Sequence, residues 1–386
     1  MRTSLPTQPA PDLLVEPLDG VPSLTGTSFV PGGEFGVGAE EELILVDADD
    51  RLRPTSAAPL VERLRTECHK VATVSTELYA AEIEFATVVC DDAEEVATCL
   101  RASRAALARL GGRAMGVGLH PAGSFGDAPL TDDPRYEAIG ADFAGLLRTP
   151  TAAFQVHVGV PDAAAAVAAY RGLRNQLAIV SALAAGSPFW HGRDSGLASA
   201  RWAVISSYPR GGVPPAVTTW EEYVALVEAV VAAAEVPDHS HVWWDVRVQP
   251  RFGTVEIRVM DAQPSLRRAA VLTALVQAMV RHAVEQPCAV DIPGAVLAEN
   301  DFRVARHGLD TTITDLDGTR RPVRELARRL VARAHAVLDD GQEAALDAVD
   351  QLLVDGPEYV RQRRVHARSG MDALLADLSA RTMRGW

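Results

Sequence analysis

The sequence predicts an α+β fold, an antiparallel sheet covered by helices. Two observations point there. Several short segments alternate apolar and polar residues with the period of a strand, and long segments with the helical spacing of three and four lie between and after them. Residues 1–30 read as a flexible extension, punctuated by Pro6, Pro9, Pro11, Pro17 and Pro22 with no periodic pattern. Residues 31–386 read as one domain, since neither an internal repeat nor a linker interrupts them. Within it, Glu34 to Asp47, Val71 to Val89 and Phe154 to Val160 read as strands, and Val242 to Val248 with Thr254 to Met260 as a hairpin around Pro250 and Gly253. Asp92 to Leu110, Ala163 to Ala185, Trp220 to Ala234 and Leu266 to Glu285 read as helices. Val323 to Arg381 reads as two or three more, broken at Gly341 and Gly356.

Composition narrows the function. The 386 residues are 48% hydrophobic and 23% charged, ordinary globular material, and 37 basic against 51 acidic residues leave a formal charge of -14. Such a chain gains nothing from nucleic acid or an anionic membrane surface, whereas acids gathered in one place can hold cations. Lys70 is the single lysine, so almost all positive charge is arginine, which grips phosphate and carboxylate but forms no Schiff base. Cys68, Cys90, Cys99 and Cys288 are irregularly spaced and signal neither a disulfide framework nor a zinc ribbon. The start lacks the apolar core of a secretory signal, and the most apolar stretch, Val224 to Val236, is too short to span a bilayer. These features predict a cytoplasmic protein; homo-oligomerisation stays open.

Four segments carry chemistry. In Val37-Gly38-Ala39-Glu40-Glu41-Glu42, strand alternation puts Glu40 and Glu42 on one face and Glu41 on the other. Two carboxylates on one face of an apolar strand repel each other, and a divalent cation relieves that repulsion; a solvent-facing strand end explains them as well. Glu82 and Glu84 share parity in the next acidic strand, and Glu77 joins them only if the chain bends in between. Gln155 and His157 project together from Phe154 to Val160, where His157 is either a ligand or a hydrogen-bonded core residue. In the late hairpin, Asp245 and Arg247 share one face and Glu256 and Arg258 another. Arginine forks beside an acid suit a triphosphate with its bridging cation, or else cross-strand ion pairs. A fifth stretch, Ser187 to Arg201, reads as a loop after a helix, in which Asp194 and Arg201 pair with each other or touch a zwitterionic amino acid. No Walker-type phosphate loop, nucleophile elbow or His-Glu-x-x-His is present, so a nucleotide must be held some other way, such as through metals on carboxylates.

Taken in order, these segments resemble the carboxylate–amine ligases called type 2 glutamate–cysteine ligases, over about Phe35 to Arg306. Gly38-Ala39-Glu40-Glu41-Glu42 resembles the family's opening acidic strand, Glu77 to Thr87 its second, and Val156-His157-Val158-Gly159-Val160-Pro161-Asp162 its histidine strand. Ser187-Pro188-Phe189-Trp190 with Gly192-Arg193-Asp194 resembles its substrate loop. Trp244-Asp245-Val246-Arg247 with Thr254 to Val259 resembles its late hairpin, and Glu299-Asn300 with Arg303 and Arg306 a later helix start. The resemblance implies a glutamine-synthetase-like catalytic fold, its sheet the floor of a metal and nucleotide site. It implies ATP and Mg2+ as cofactors, and small-molecule amino-acid and amine substrates. An acyl phosphate would form on the γ-carboxyl of glutamate and be displaced by an amine such as cysteine, releasing ADP and phosphate. By position, Glu40, Glu42, Glu77, Glu84, His157 and Glu256 would hold magnesium and Arg258 would contact ATP phosphate, making Glu256 and Arg258 the catalytic pair. Arg247 and Arg201 would meet phosphate or a substrate carboxylate. Three positions depart from the family pattern. Gln155 replaces a histidine, Gly118-Leu119-His120-Pro121 replaces a Gly-Thr-His-Pro turn, and Val248 replaces a proline after Arg247. They leave the metal acids intact and bear on the identity of the amine and the acid. The same chemistry on another acid or amine, or phosphotransfer without ligation, are the alternatives.

Overall fold

The computed structural model describes Leu24 and residues 29–384, apart from 54, 125, 127, 148 and 338–342. The expected extension, residues 1–30, therefore falls almost wholly outside the described residues. Leu24, within it, is buried in the main core, and Phe29 packs edge-on against Trp220.

Seven strands make the central sheet: β1 (Val37–Leu45), β2 (Ala72–Thr76), β3 (Glu82–Thr87), β4 (Ala114–Met115), β5 (Ala153–Gly159), β6 (Val246–Gln249) and β7 (Thr254–Asp261). Their spatial order is β6-β7-β5-β1-β3-β2, with β4 on the end of β1, and every pairing is antiparallel. The helices are α1 (Ala58–Cys68), α2 (Ala93–Arg109), α3 (Pro134–Phe143), α4 (Ala163–Arg174), α5 (Leu177–Ala184), α6 (Ala200–Ile205), α7 (Trp220–Ala234), α8 (Leu266–Glu285), α9 (Gly294–His307), α10 (Val323–His335), α11 (Glu343–Asp355) and α12 (Glu358–Arg384). The expected α+β class is the one observed.

Period-two alternation decides which face of the sheet is dry. Val37, Ala39 and Leu43 of β1, Ile83 and Phe85 of β3, Phe154, Val156 and Val158 of β5, and Val255 and Ile257 of β7 are buried in one core with α2, α4 and α8. Polar residues of the same strands point the other way, apart from Glu41, which is fully buried on the core face. Asp92 caps α2 by accepting from the amides of Glu94 and Glu95 at 2.8 and 2.9 Å.

Two expected elements divide. Val71 to Val89 is a hairpin, β2 and β3, rather than one strand. Its turn lacks glycine and proline, and Tyr79, Ala80 and Ala81 within it are buried. Tertiary backbone bonds hold it: Ala57 N to Ala80 O (2.7 Å), Ala80 N to Pro129 O (2.9 Å) and Thr131 N to Leu78 O (2.9 Å). Long-range partners override the local propensity for continued strand. Ala163 to Ala185 is two helices, α4 and α5, separated at Asn175 and Gln176. Asn175 receives the amide of Ile292 (3.0 Å) and donates to Val290 O (2.9 Å). Glu299 and Asn300, expected at a helix start, lie inside α9.

Candidate active site

The polar face of the sheet floors a cavity of about 460 Å3. Strand register brings the expected residues together across it. Glu42 on β1 faces Glu84 on β3, Glu40 faces Gln155 on β5, and Glu256 on β7 faces His157 on β5. Glu77 arrives by the bend between β2 and β3, the condition that its parity demanded.

Two groups of ligand-type side chains result. One oxygen each from Glu42, Glu77 and Glu84 lies within 4.8 Å of the others, and so do ligand atoms of Glu40, His157 and Glu256. The groups differ in what surrounds them. In the first, burial raises Glu77 to about 7, helped by repulsion from Glu42 and Glu40. Burial and the neighbouring acids push Glu84 well above the usual carboxylate range. Glu42 is also raised by burial, against the pull of Arg201 and the amide of Ala153, which donates to it at 2.6 Å. In the second group, burial would raise Glu256, but Arg247 and Arg258 outweigh it and hold its carboxyl well below normal. Arg247 grips both Glu256 oxygens, at 2.5 and 3.1 Å, Gln249 donates at 2.7 Å, and Arg258 donates as well. Burial raises Glu40 too, yet His157, with Nε2 3.1 Å from Glu40 Oε1, brings it down. Thr254 Oγ1 lies 3.1 Å from the other ring nitrogen of His157.

Gln155 joins the two groups. Its amide donates to Glu42 at 2.6 Å and its oxygen accepts from Arg258. The residue that departs from the family pattern thus sits at the centre of the floor. All-oxygen donors crowded beyond what their charges tolerate suit a hard divalent cation such as Mg2+, and the set of Glu42, Glu77 and Glu84 has that character. The second set has one nitrogen among its donors and shares Glu256 with two arginines, so a cation there would compete with guanidinium groups already in place.

The walls escaped the sequence reading. Phe143 of α3, Trp202 of α6, Tyr208 and Trp243 line the cavity, and Arg210 lies over the Phe143 and Trp243 rings at 5.2 and 5.3 Å. Nothing local marks them, because they converge from separate segments. Asp245 also lines the cavity, raised to about 6 by burial against the pull of Arg201 and Arg258. Asp301 of α9 is held well above normal by burial and by Asp245; a buried acid on an amphipathic helix gives no signal in sequence. Of the two alternatives left open for Asp194 and Arg201, pairing with each other does not occur. Asp194 binds Arg363 through two contacts of 2.8 Å, while Arg201 turns to the cavity. Gly118 is required where it stands, since a Cβ there would lie 2.6 Å from the Asp261 carboxyl carbon.

An antiparallel sheet floored with paired acids and rimmed by arginines defines a class of ligases, and the comparisons place the chain in it. Residues 36–376 match the model of glutamate–cysteine ligase family 2, and the chain belongs to that family. A Rubrobacter xylanophilus protein, named provisionally as glutamate–cysteine ligase 2-3, is 36% identical over 355 residues, 89% of this chain and 96% of its own. The glutamate–cysteine ligase of Haloferax volcanii is 34% identical over 353 residues, again 89% of this chain and 96% of its own. A crystal structure of glutamate–cysteine ligase from Francisella tularensis in complex with AMP superimposes with a TM-score of 0.71 at 11% identity, covering 92% of this chain and 90% of that one. That likeness bears on the fold. The chain is an ATP-dependent carbon–nitrogen ligase. Among the described residues, no helix is long and apolar enough to cross a membrane.

Proposed function

We propose that the chain joins the side-chain carboxylate of glutamate to an amine, through an acyl phosphate made at the expense of ATP. One observation carries this reading most. Acids from three strands and a turn converge on one cavity in two ligand-type groups, with arginines beside one of them.

A carboxylate is a poor electrophile, and phosphorylation supplies it with a leaving group. Magnesium, when bound, neutralises the charge that gathers between the transferred phosphoryl group and the attacking carboxylate. Glu42, Glu77 and Glu84 would hold one ion, and Glu40, His157 and Glu256 another. Arg258 and Arg247 put fixed positive charge beside the triphosphate. Glu256, itself held by Gln249, accepts from both guanidinium groups and Gln155 from that of Arg258, so little reorganisation accompanies the reaction.

The test is incubation with ATP, magnesium, glutamate and a panel of amines that includes cysteine, followed by mass analysis. The expected result is ADP, phosphate and a γ-glutamyl amide in equal amounts. Accumulation of a phosphorylated acid without an amide would make the protein a phosphotransferase. Equal turnover with acids unrelated to glutamate would move the substrate elsewhere.

A further inference from the structure

We propose that the cavity between α5, α10 and the hairpin of Thr312–Thr314 with Arg320–Pro322 is a second binding site, built for an organic monocarboxylate with an apolar body. The proposal stands apart from the ligase reading, because none of the residues that line this cavity lines the one above the acidic floor.

The cavity holds about 420 Å3, within the range that drug-sized ligands occupy. Part of its lining is apolar: Ile179 of α5, Ile313 of the hairpin and Leu326 of α10, all buried members of the main core. Leu316 adds to it from the hairpin turn. That turn is closed by the amide of Asp315 donating to Thr319 O at 2.8 Å and that of Gly318 to Asp315 O at 2.9 Å. Polar residues and glycine make such a turn, and a leucine contributes nothing to it. Leu316 is half-buried, yet it joins no hydrophobic cluster among the described residues, so an apolar side chain borders the cavity without a core of its own. Another part of the lining is cationic. Arg329 and Arg333 stand one turn apart on α10. Arg329 is engaged, donating to Glu325 at 2.6 Å and lying 3.6 Å from Asp315. Arg333 donates to Gln176 Oε1 at 2.6 Å, its buried Nε has no partner, and it forms no ion pair among the described residues. Asp315 and Asp317, at the same cavity, are committed to Arg321 at 3.1 and 2.5 Å.

Two neighbouring guanidinium groups, one of them without a counter-ion, attract an anion. A cation finds no free acid, since Asp315 and Asp317 already serve Arg321. An inorganic anion would occupy the arginines and leave Leu316 and the isoleucines against water. A phosphate ester carries a second negative charge, which the two aspartates repel. A carboxylate carries one charge and matches the guanidinium fork. An apolar body attached to it then covers Ile179, Ile313 and Leu316.

The probe is 4-phenylbutyrate, an aromatic ring on a short chain that ends in a carboxylate. It is titrated calorimetrically into the full chain beside 4-phenylbutan-1-ol, which lacks the charge, and inorganic phosphate, which lacks the apolar body. The wild type is expected to bind the acid about tenfold more tightly than the alcohol, the scale of one hydrogen bond to a charged group. Phosphate at the same concentration should give no binding heat. Arg333→Gln should remove the difference between acid and alcohol, and Leu316→Ala should weaken both organic probes about threefold through lost apolar contact. Saturating ADP, magnesium and glutamate should leave the affinity for the acid unchanged. A wild type that binds no acid, or binds acid and alcohol equally, overturns the site, and so does undiminished binding of the acid by Arg333→Gln. Phosphate that binds as tightly as the acid shows an adventitious ion only and removes the organic ligand. Displacement of the acid by ADP, magnesium and glutamate puts it in the ligase cavity and refutes a second site. Should Arg333→Gln fail to fold, Leu316→Ala at the hairpin turn decides: weaker binding of both organic probes supports the site, and unchanged binding contradicts it.

Discussion

Three consecutive glutamates on β1 meet opposite fates. Glu41 points into the helix-covered core, fully buried, where Arg104 grips both its oxygens at 2.6 and 2.9 Å. Arg104 donates in turn to the carbonyls of Gln263, Pro264 and Thr382. Glu41 and Arg104 answer each other's charge there, buried on both sides. Glu40 and Glu42, one residue away on either side, face the cavity. Glu42 there meets Glu77 and Glu84, and among the described residues no arginine is bonded to any of the three. The contrast separates two uses of buried charge. A saturated pair ties β1 to α2 and to the C-terminal α12. An unsaturated cluster holds repulsion that a bound cation would relieve.

The largest expected effect lies on the saturated face. Arg104→Met leaves Glu41 buried without a partner, and urea denaturation should show a loss of about 3–5 kcal/mol. A second change, Glu41→Leu in the same chain, should recover much of it, because an apolar pair of similar volume replaces the ion pair. A loss under about 1 kcal/mol in the single variant would mean that Glu41 is not isolated from water. The cavity face should behave in the opposite way. Glu42→Ala is expected to lower ATP turnover by about 10²–10³-fold while stability stays within about 1 kcal/mol, since it removes repulsion along with two hydrogen bonds. A folded, fully active Glu42→Ala protein would remove the basis for a metal at this group. Glu256→Ala should lose activity and stability together, because it strips Arg247 and Arg258 of their shared partner.

A smaller effect sharpens the comparison through pH. Glu77 holds its proton up to about 7 in the folded chain. The same carboxyl in the unfolded chain releases it near the ordinary glutamate value of about 4.3. Between these values the native state binds the extra proton, so metal-free stability should fall as pH rises through this window. Magnesium competes for the same oxygens, so its stabilising effect should grow over the window. A thermal shift of roughly 5 °C near pH 8, shrinking toward zero near pH 5 and abolished by a chelator, is the expected pattern. A shift independent of pH would place the ion elsewhere.

How far the sequence carries depends on whether a feature is local. Alternation along β1 was enough to separate Glu41 from Glu40 and Glu42, and the same rule placed His157 with Gln155 and Glu256 with Arg258. The bend that admits Glu77 was legible only as a requirement. Its turn has no turn residues, and Ala57, Pro129 and Thr131, which hold it, lie far away in the chain. Arg104, the partner of Glu41, sits 63 positions away on a helix whose pattern marks it merely as one more charged residue. The aromatic walls and Asp301 were silent for the same reason. Strand parity can be read from neighbours, whereas convergence is a property of the whole fold.

The smallest predicted effect tests the hinge between the two behaviours. Gln155 is a neutral residue between the unsaturated acids and the arginine-bound ones, donating to Glu42 and accepting from Arg258. Gln155→Leu keeps the volume and removes both bonds. Glu42 retains the Ala153 amide and Arg258 retains Glu256, so neither charge is stranded. Each lost bond has a charged partner, but the remaining ones cushion the change, and the expected loss of stability is about 1 kcal/mol. The kinetic loss should be about tenfold in kcat/KM, because Arg258 and Glu42 lose their common reference rather than their place in the site. If the floor works as two independent groups, the effects of Gln155→Leu and a change at Arg258 will add in a double-mutant cycle. If Gln155 couples them, the pair will deviate from additivity by more than about 0.5 kcal/mol.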